Sequence, residues 1–272
     1  MRDSLWRPVS TFAQQLVVPL DDRPTMSEQS KVVVVMPAYN AAKTLVSTYQ
    51  SIPEGIVEEV ILVDDASQDE TVEVASQLNL KVIVHPHNVG YGGNQKTCYM
   101  EALRDGADIV VMLHPDGQYD PQIIPDVVKA LQKSDADMVL ASRFLKEGGP
   151  LQGGMPKYKY VANRFLSALE NVVLGQHLSE FHTGYRAYSR RLLETVPFMR
   201  NSNDFVFDTE MIVQAVHFGF KIAEVPVATK YTIETSSVGF KGSLVYGLKT
   251  LYVLFRYILH RLGIVKSRLF LA

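Results

Sequence analysis

His114, Asp116 and Gln118 alternate at the end of an apolar run, Ile109 to Leu113, within the stretch VVMLHPDGQYDP. On an extended backbone, every second side chain projects the same way. The three would then present one imidazole nitrogen and two hard oxygens to a single point. Mg2+ prefers few protein ligands plus substrate phosphates, which Asp116 and Gln118 could satisfy. Mn2+ tolerates an added nitrogen such as that of His114. The same letters also describe a capped turn between a strand and a helix, with prolines at 115 and 121. Asp64 and Asp65 follow another apolar run in VDDAS. They suit either a helix N-cap or a carboxylate accepting hydrogen bonds from a base or ribose. Arg143 ends a further run. LSEFHTGYRAYSRR, residues 178–191, carries Glu180 and His182 as acid/base groups and Arg186, Arg190 and Arg191 as a positive cluster. Asp208 and Glu210 in NDFVFDTEM could position acceptor or sugar, or simply serve as helix-start carboxylates.

The elements that must position these groups can be read from periodicity. KVVVVMPAYN, VEEVILVDDAS, LKVIVHPHN, ADIVVMLHPD and ADMVLASRF read as buried strands. Helical segments separate them: residues 41–51, DETVEVASQLN, NQKTCYMEALRDG closed by Gly106, and PQIIPDVVKALQKS. Strands alternating with short helices predict a mostly parallel α/β sheet flanked by helices. Ligands of such sheets bind outside the carboxyl ends of the strands. Tyr39 and Asn40, Asp64 and Asp65, residues 114–118 and Arg143 all fall there. GYGGNQKT nearly spells a phosphate loop, but Gln95 replaces the glycine required before Lys96. It reads better as a flexible turn whose backbone amides could face phosphate.

A hydrophobic content of 47% and 21% charged residues suit a packed core and argue against disorder. The net charge of −2 gives no general attraction to nucleic acid. Cys98 is the only cysteine, so no internal disulfide can form. Neither a secretory leader nor a spanning segment stands out, which points to a cytoplasmic protein. Residues 1–30 read as a polar tail and 31–235 as the α/β domain. Residues 236–272 read as an amphipathic helical segment. There Lys249, Arg256, His260 and Arg261 share one helical stripe beside Leu, Val, Tyr, Phe and Ile. An apolar face with cationic edges fits a helix lying in a membrane interface on the cytoplasmic side; docking on the core or a dimer contact is the other reading.

PAYN, VDDAS, NVGYGGN, HPDGQ, ASRF and HTGYRAYSR occur in this order, and over residues 31–249 the chain resembles family 2 glycosyltransferases of GT-A fold. The similarity is to the dolichyl- or polyprenyl-phosphate sugar synthase branch. It implies a Rossmann-like GT-A sheet and inverting hexosyl transfer from a UDP- or GDP-linked sugar to a lipid phosphate. By this resemblance Pro37, Tyr39, Asp65, His114 and Pro115 hold the nucleotide sugar, and Arg143 and Lys159 contact its phosphates. Asp116 and Gln118 hold Mg2+ or Mn2+, and Glu180 stands where the family carries a catalytic-region Asp. Two departures bear on this. His114 replaces the first Asp of the family's DxD motif, and Ala41 replaces the Glu common in mannosyl-phosphate synthases. The first bears on metal dependence and the second on GDP as the nucleotide. A catalytically weak sugar-nucleotide binder and a transferase acting on a glycan hydroxyl are the alternatives. A nucleotidyltransferase would need a glycine- and lysine-rich loop after the first strand, which PAYNAAKT lacks.

Overall fold

The computed structural model describes residues 30–146, 149–229 and 239–271. The polar tail read at residues 1–30 lies almost wholly outside them. Seven strands form one sheet in the order β3-β2-β1-β4-β6-β5-β7. They are β1 (Val32–Ala38), β2 (Glu59–Asp64), β3 (Lys81–Val84), β4 (Ile109–Met112), β5 (Met138–Ser142), β6 (Arg186–Ser189) and β7 (Ile222–Pro226). All seven residues of β1 are buried, as expected of a central strand covered on both faces. Its valines take turns. Val33 and Val35 join a core with Cys98, Tyr99 and Ala102 of α3 (Tyr91–Arg104), and with Met211 and Ile212 of α8 (Phe207–His217). Val34 and Met36 join the opposite core with Leu45 of α1 (Ala42–Gln50) and Ala75 of α2 (Thr71–Ser76). That core also takes Ile124, Val127 and Leu131 of α4 (Ile124–Lys133). The two-residue period of a strand thus builds both layers.

β1 pairs parallel with β2 on one side and with β4 on the other. The chain winds outward through β2 and β3, then returns to start the other half at β4. This reversal is the switch point at which open α/β sheets bind ligands. β6 runs antiparallel between β4 and β5. The sequence reading assigns no strand within 178–191 and so misses β6. RAYS is only four residues long and begins on an arginine, so it carries no strand period.

After β5 the chain passes through α5 (Gly149–Gln152) and α6 (Lys157–Leu174) before β6, then α7 (Arg190–Thr195). The C-terminal α9 (Phe240–Arg261) lies beside α6 and α8. Its inner side, with Val253, Leu254 and Tyr257, belongs to the same core as β1. Its outer side leaves Leu244, Leu248, Tyr252 and Phe255 between 56% and 59% exposed. α9 therefore docks on the domain and still presents an apolar face. The cations of the predicted stripe are partly engaged: Lys249 pairs with Asp204, and Arg256 donates to Ser267 Oγ at 2.9 Å.

Candidate active site

A cleft of about 600 Å3 opens where the carboxyl ends of β1, β2 and β4 meet. Sites of this size enclose most of a small ligand. Pro37 and Tyr39 line it from the tip of β1, Asp65 from the tip of β2, and His114, Pro115, Asp116 and Gln118 from the turn after β4. Arg143 and Lys159 complete it from β5 and α6. The structure therefore gathers every residue that the family resemblance assigns to the site except Glu180, which lies directly behind Arg143. Tyr39 is half-exposed, so its ring face is available to a planar base.

The two aspartates after β2 have different settings. Asp64 is fully buried and accepts from Ser67 N at 2.9 Å, a local cap. Asp65 reaches across to the loop before α3. Its Oδ1 accepts from Val89 N and from His85 Nδ1, both at 2.9 Å, and its Oδ2 accepts from Gly90 N at 3.0 Å. The amide of Gly92 is also taken, donating to Asn203 O at 2.8 Å. The GYGG turn is thus packed, and Lys96 with it, its ammonium donating to Asn203 Oδ1 at 2.6 Å. A Cβ at Gly92 would sit 2.4 Å from Ser202 O and 2.7 Å from Phe207 Cβ. The glycine serves close backbone packing, so the idea of amides facing phosphate does not hold for Gly90 or Gly92.

The turn after β4 is not extended, contrary to the alternation argument. β4 ends at Met112, Gly117 takes φ +69°, and Gln118 N donates to Asp116 Oδ1 at 3.0 Å. An aspartate can hydrogen-bond the amide two residues on and so compete with strand geometry. His114 turns inward, its Nε2 3.2 Å from the Tyr91 hydroxyl and its ring stacked on that of Tyr91. Tyr91 already donates to Asp208 Oδ2 at 2.8 Å, so His114 Nε2 carries the hydrogen and donates to Tyr91. Burial holds the His114 pKa below its ordinary value, although Asp116 and Asp208 pull the other way. Gly184 makes room for this ring, since a Cβ there would lie 3.1 Å from His114 Nε2.

Among the described residues no three His, Cys, Asp or Glu side chains gather as a metal site. Asp116, partly exposed at the tip of its turn, is the hard-oxygen donor aimed at the cleft. One carboxylate fits an ion whose remaining ligands come from a diphosphate and water. It does not fit a dedicated protein cage.

Arg143 and Lys159 bring positive charge to the far wall. Arg143 donates from Nε to Glu180 Oε1 at 2.8 Å and from its backbone N to Oε2 at 2.9 Å. Its Nη2 also pairs with Glu180 and reaches His182 O at 3.0 Å. Asn163 adds a hydrogen bond to Glu180 Oε1 at 2.9 Å. Burial alone would raise the Glu180 pKa, but Arg143 and these hydrogen bonds hold it below the ordinary value. Glu180 is fully buried and does not line the cleft, so it positions Arg143 instead of facing an acceptor. Lys159 is shifted down by burial and by the like charge of Arg143. Two cations sharing one wall are the setting an anionic ligand relieves.

The positive cluster expected at Arg186, Arg190 and Arg191 does not form. Arg186 is buried and donates to the carbonyls of Thr183, Asp208 and Phe181. Arg190 donates to Ala107 O and pairs with Glu194, and Arg191 pairs with Asp137. Strand pairing of β6 turns Arg186 inward, and α7 carries the other two away from the cleft. Of the two carboxylates in NDFVFDTEM, Asp208 lines the cleft, while Glu210 accepts from Ser202 N at 2.6 Å. Sequence reasoning missed Tyr91, Asn88 and Tyr246 as lining residues. NVGYGGN marks the first two by its polar loop before a helix, whereas nothing in the α9 sequence singles out Tyr246.

An open sheet reversing at β1/β4, with a cation-walled cleft at its carboxyl edge, is the arrangement of the GT-A fold. The chain belongs to glycosyl transferase family 2, whose family model matches residues 33–196. An uncharacterised protein of Methanocaldococcus jannaschii is 28% identical over 226 residues, covering 83% of this chain and 91% of that relative. A UDP-N-acetylglucosamine–dolichyl-phosphate N-acetylglucosaminyltransferase of Methanococcus voltae is 27% identical, covering 81% of this chain and 93% of its own length. The crystal structure of glucosyl-3-phosphoglycerate synthase from Mycobacterium tuberculosis, with Mn2+, UDP and phosphoglyceric acid, superposes with TM-score 0.65. It is 20% identical and covers 88% of this chain and 81% of that one, a likeness of fold.

Proposed function

We propose that the protein transfers a hexose, with inversion, from a UDP-linked sugar to a polyprenyl phosphate at a membrane surface. The observation that carries this reading is the Arg143–Lys159 wall, its Arg143 held by buried Glu180, in a cleft that α9 borders through Ser243 and Tyr246. The nucleotide lies between Tyr39 and Asp65, and its diphosphate runs toward Asp116. Mg2+ or Mn2+, held by Asp116 and with Gln118 near, would stabilise the charge that grows on the departing diphosphate. Arg143 and Lys159 orient the phosphates and act most strongly where that charge is largest, in the transition state. A phosphate monoester is largely dianionic at pH 7, so the attacking oxygen needs aim more than a strong base. The Methanococcus relative named for a UDP-sugar and a dolichyl-phosphate acceptor supports both halves of the reading.

The membrane part rests on α9 and its surroundings. Residues 235–272 contain six Lys or Arg and no Asp or Glu. Leu244, Leu248, Tyr252 and Phe255 of α9 are exposed, as are Val161 and Phe165 of the neighbouring α6. No described helix is long and apolar enough to cross a membrane, so the contact is peripheral.

The test offers polyprenyl phosphate and free glycans side by side with UDP-sugars and Mn2+. Product on the lipid phosphate, with binding to anionic vesicles lost in Leu248→Glu/Phe255→Glu, is the expected result. Product on the glycan alone overturns the acceptor, and unchanged vesicle binding overturns the membrane face.

A further inference from the structure

Beside Arg143 at the cleft lies a chain of three groups that phosphate binding leaves unused. Glu170 of α6 is fully buried, and neither of its oxygens receives an aligned hydrogen bond. Its one ion-pair partner among the described residues is His182, whose Nε2 lies 3.0 Å from Oε2, off the line of an ideal bond. The other ring nitrogen, Nδ1, is 2.9 Å from the Tyr246 hydroxyl on α9. His182 and Tyr246 both line the cleft, and the His182 carbonyl accepts from Arg143 Nη2 at 3.0 Å.

A buried carboxylate is costly unless it shares a proton or a positive charge with a neighbour. A purely structural glutamate at this place would collect amide or hydroxyl donors, as Glu180 does. The carboxylate can only accept, so the hydrogen belongs on His182 Nε2, and Nδ1 is then the acceptor of the Tyr246 O–H. The order is carboxylate, imidazole, hydroxyl, the connectivity of known proton relays.

We propose that Glu170, His182 and Tyr246 form a proton relay that opens on the cleft at the Tyr246 hydroxyl and takes the proton of an acceptor that arrives as an O–H. It rests on the transfer reaction above but not on the identity of the acceptor. As the acceptor oxygen bonds to the anomeric carbon, the bond from that carbon to the diphosphate breaks, and its electron pair leaves with the diphosphate. The acceptor proton passes to Tyr246 Oη while the Tyr246 proton passes to His182 Nδ1. Glu170 faces the imidazolium so formed. Burial first, then the charge of Glu170, raises the Tyr246 pKa, so the phenol gives up its proton only as it receives one. The charged groups facing the relay from neighbouring elements are Arg143, Arg186 and Asp208. Thr209 of α8 holds the Tyr246 hydroxyl at 3.2 Å.

An O–H acceptor has three sources: a monoprotonated phosphate monoester, a glycan hydroxyl, or water. The experiment compares the full-length chain with Tyr246→Phe, His182→Gln and Glu170→Gln, using UDP-glucose and UDP-N-acetylglucosamine. Each acceptor is supplied in turn, and donor hydrolysis is measured without one. For hydroxyl acceptors and water, Tyr246→Phe and His182→Gln should lower kcat by about 10²–10⁴-fold, the usual span of general acid–base assistance. Donor KM should stay unchanged. For polyprenyl phosphate the loss should be slight above pH 7 and deepen below about pH 6, where the acceptor holds its second proton. Glu170→Gln removes the charge facing the imidazolium but no transferred proton. It should lower kcat for hydroxyl acceptors and water and keep the solvent deuterium isotope effect, while the melting temperature stays within a few degrees. Tyr246→Phe should abolish that effect. Unchanged hydrolysis in Tyr246→Phe overturns the relay even if the lipid acceptor is right. Equal losses at all pH values with a raised donor KM would make the three groups structural. Hydrolysis lost in Tyr246→Phe, with no product on polyprenyl phosphate from the wild type, keeps the relay and removes the lipid acceptor.

Discussion

Asp116 lines the cleft and Glu180 lies behind its Arg143 wall, and their surroundings assign these two carboxylates opposite tasks. Asp116 ends a turn with its carboxylate toward the cleft, so Asp116→Ala should cost about 10²–10³-fold in kcat with Mn2+ present, the scale of one lost electrostatic partner. A turnover assay with and without EDTA checks it, and full activity in the variant would remove Asp116 from the metal reading. Glu180 is spent on Arg143. Its folded pKa lies below the unfolded value, so it contributes stability above the unfolded value near 4.5, and that contribution is lost as pH falls through the folded pKa. Breaking this buried pair by Glu180→Gln should destabilise by about 3–5 kcal/mol. It should also flatten the acid limb of a melting-temperature profile below about pH 4.5. A variant melting in parallel with the wild type across that range would show that the pair carries no linked proton.

α3 shows at the level of elements how packing decides what a motif means. Gly92→Ala would push a methyl against Ser202 O and Phe207, so we expect about 1–3 kcal/mol of destabilisation from overpacking. A urea midpoint measures this, and an unchanged midpoint would mean that residues 202–203 give way freely. The five parallel strands β1 to β5 were legible in the sequence because each is an apolar, β-branched run ended by polar residues. The same reading placed Tyr39, Asp65, Asp116 and Arg143 at one edge, since the side of a parallel sheet on which its strands end is common to all. What periodicity could not show was partnership across sequence distance. Arg186 looks like a surface cation until β6 slots between β4 and β5, and its guanidinium then meets the carbonyls of Phe181, Thr183 and Asp208. Tyr246 is one of several aromatic residues on α9 until the helix docks and brings it to His182. The turn at residues 114–118 was misjudged for a local reason: one hydrogen bond from Gln118 N to Asp116 outweighed the extended pattern.

For the molecule as a whole, α9 is both wall and outer face. Val253, Leu254 and Tyr257, with Leu269 and Phe270 after the helix, share one core with Val33 and Val35 of β1. Ending the chain at residue 238 would therefore uncover a broad apolar surface and remove Tyr246 from the cleft. We expect such a truncation to be insoluble or to melt far below the full chain. A soluble truncate with the full chain's melting temperature would show that α9 is an appendage.

The antiparallel strand β6, interior to the sheet, also governs how the chain can be made. Until Arg186–Ser189 has been synthesised, β4 has β1 on one side and a bare edge on the other, while β5 waits without its neighbour. An emerging chain of 150 residues already holds five strands, yet its sheet stops at β4, with an open row of amides and carbonyls. Closure needs a partner some 75 residues downstream of β4, a long loop to close before any contact rewards it. The nascent protein thus passes through a stage with its most apolar strands half-paired, where a ribosome-bound chaperone would have something to hold.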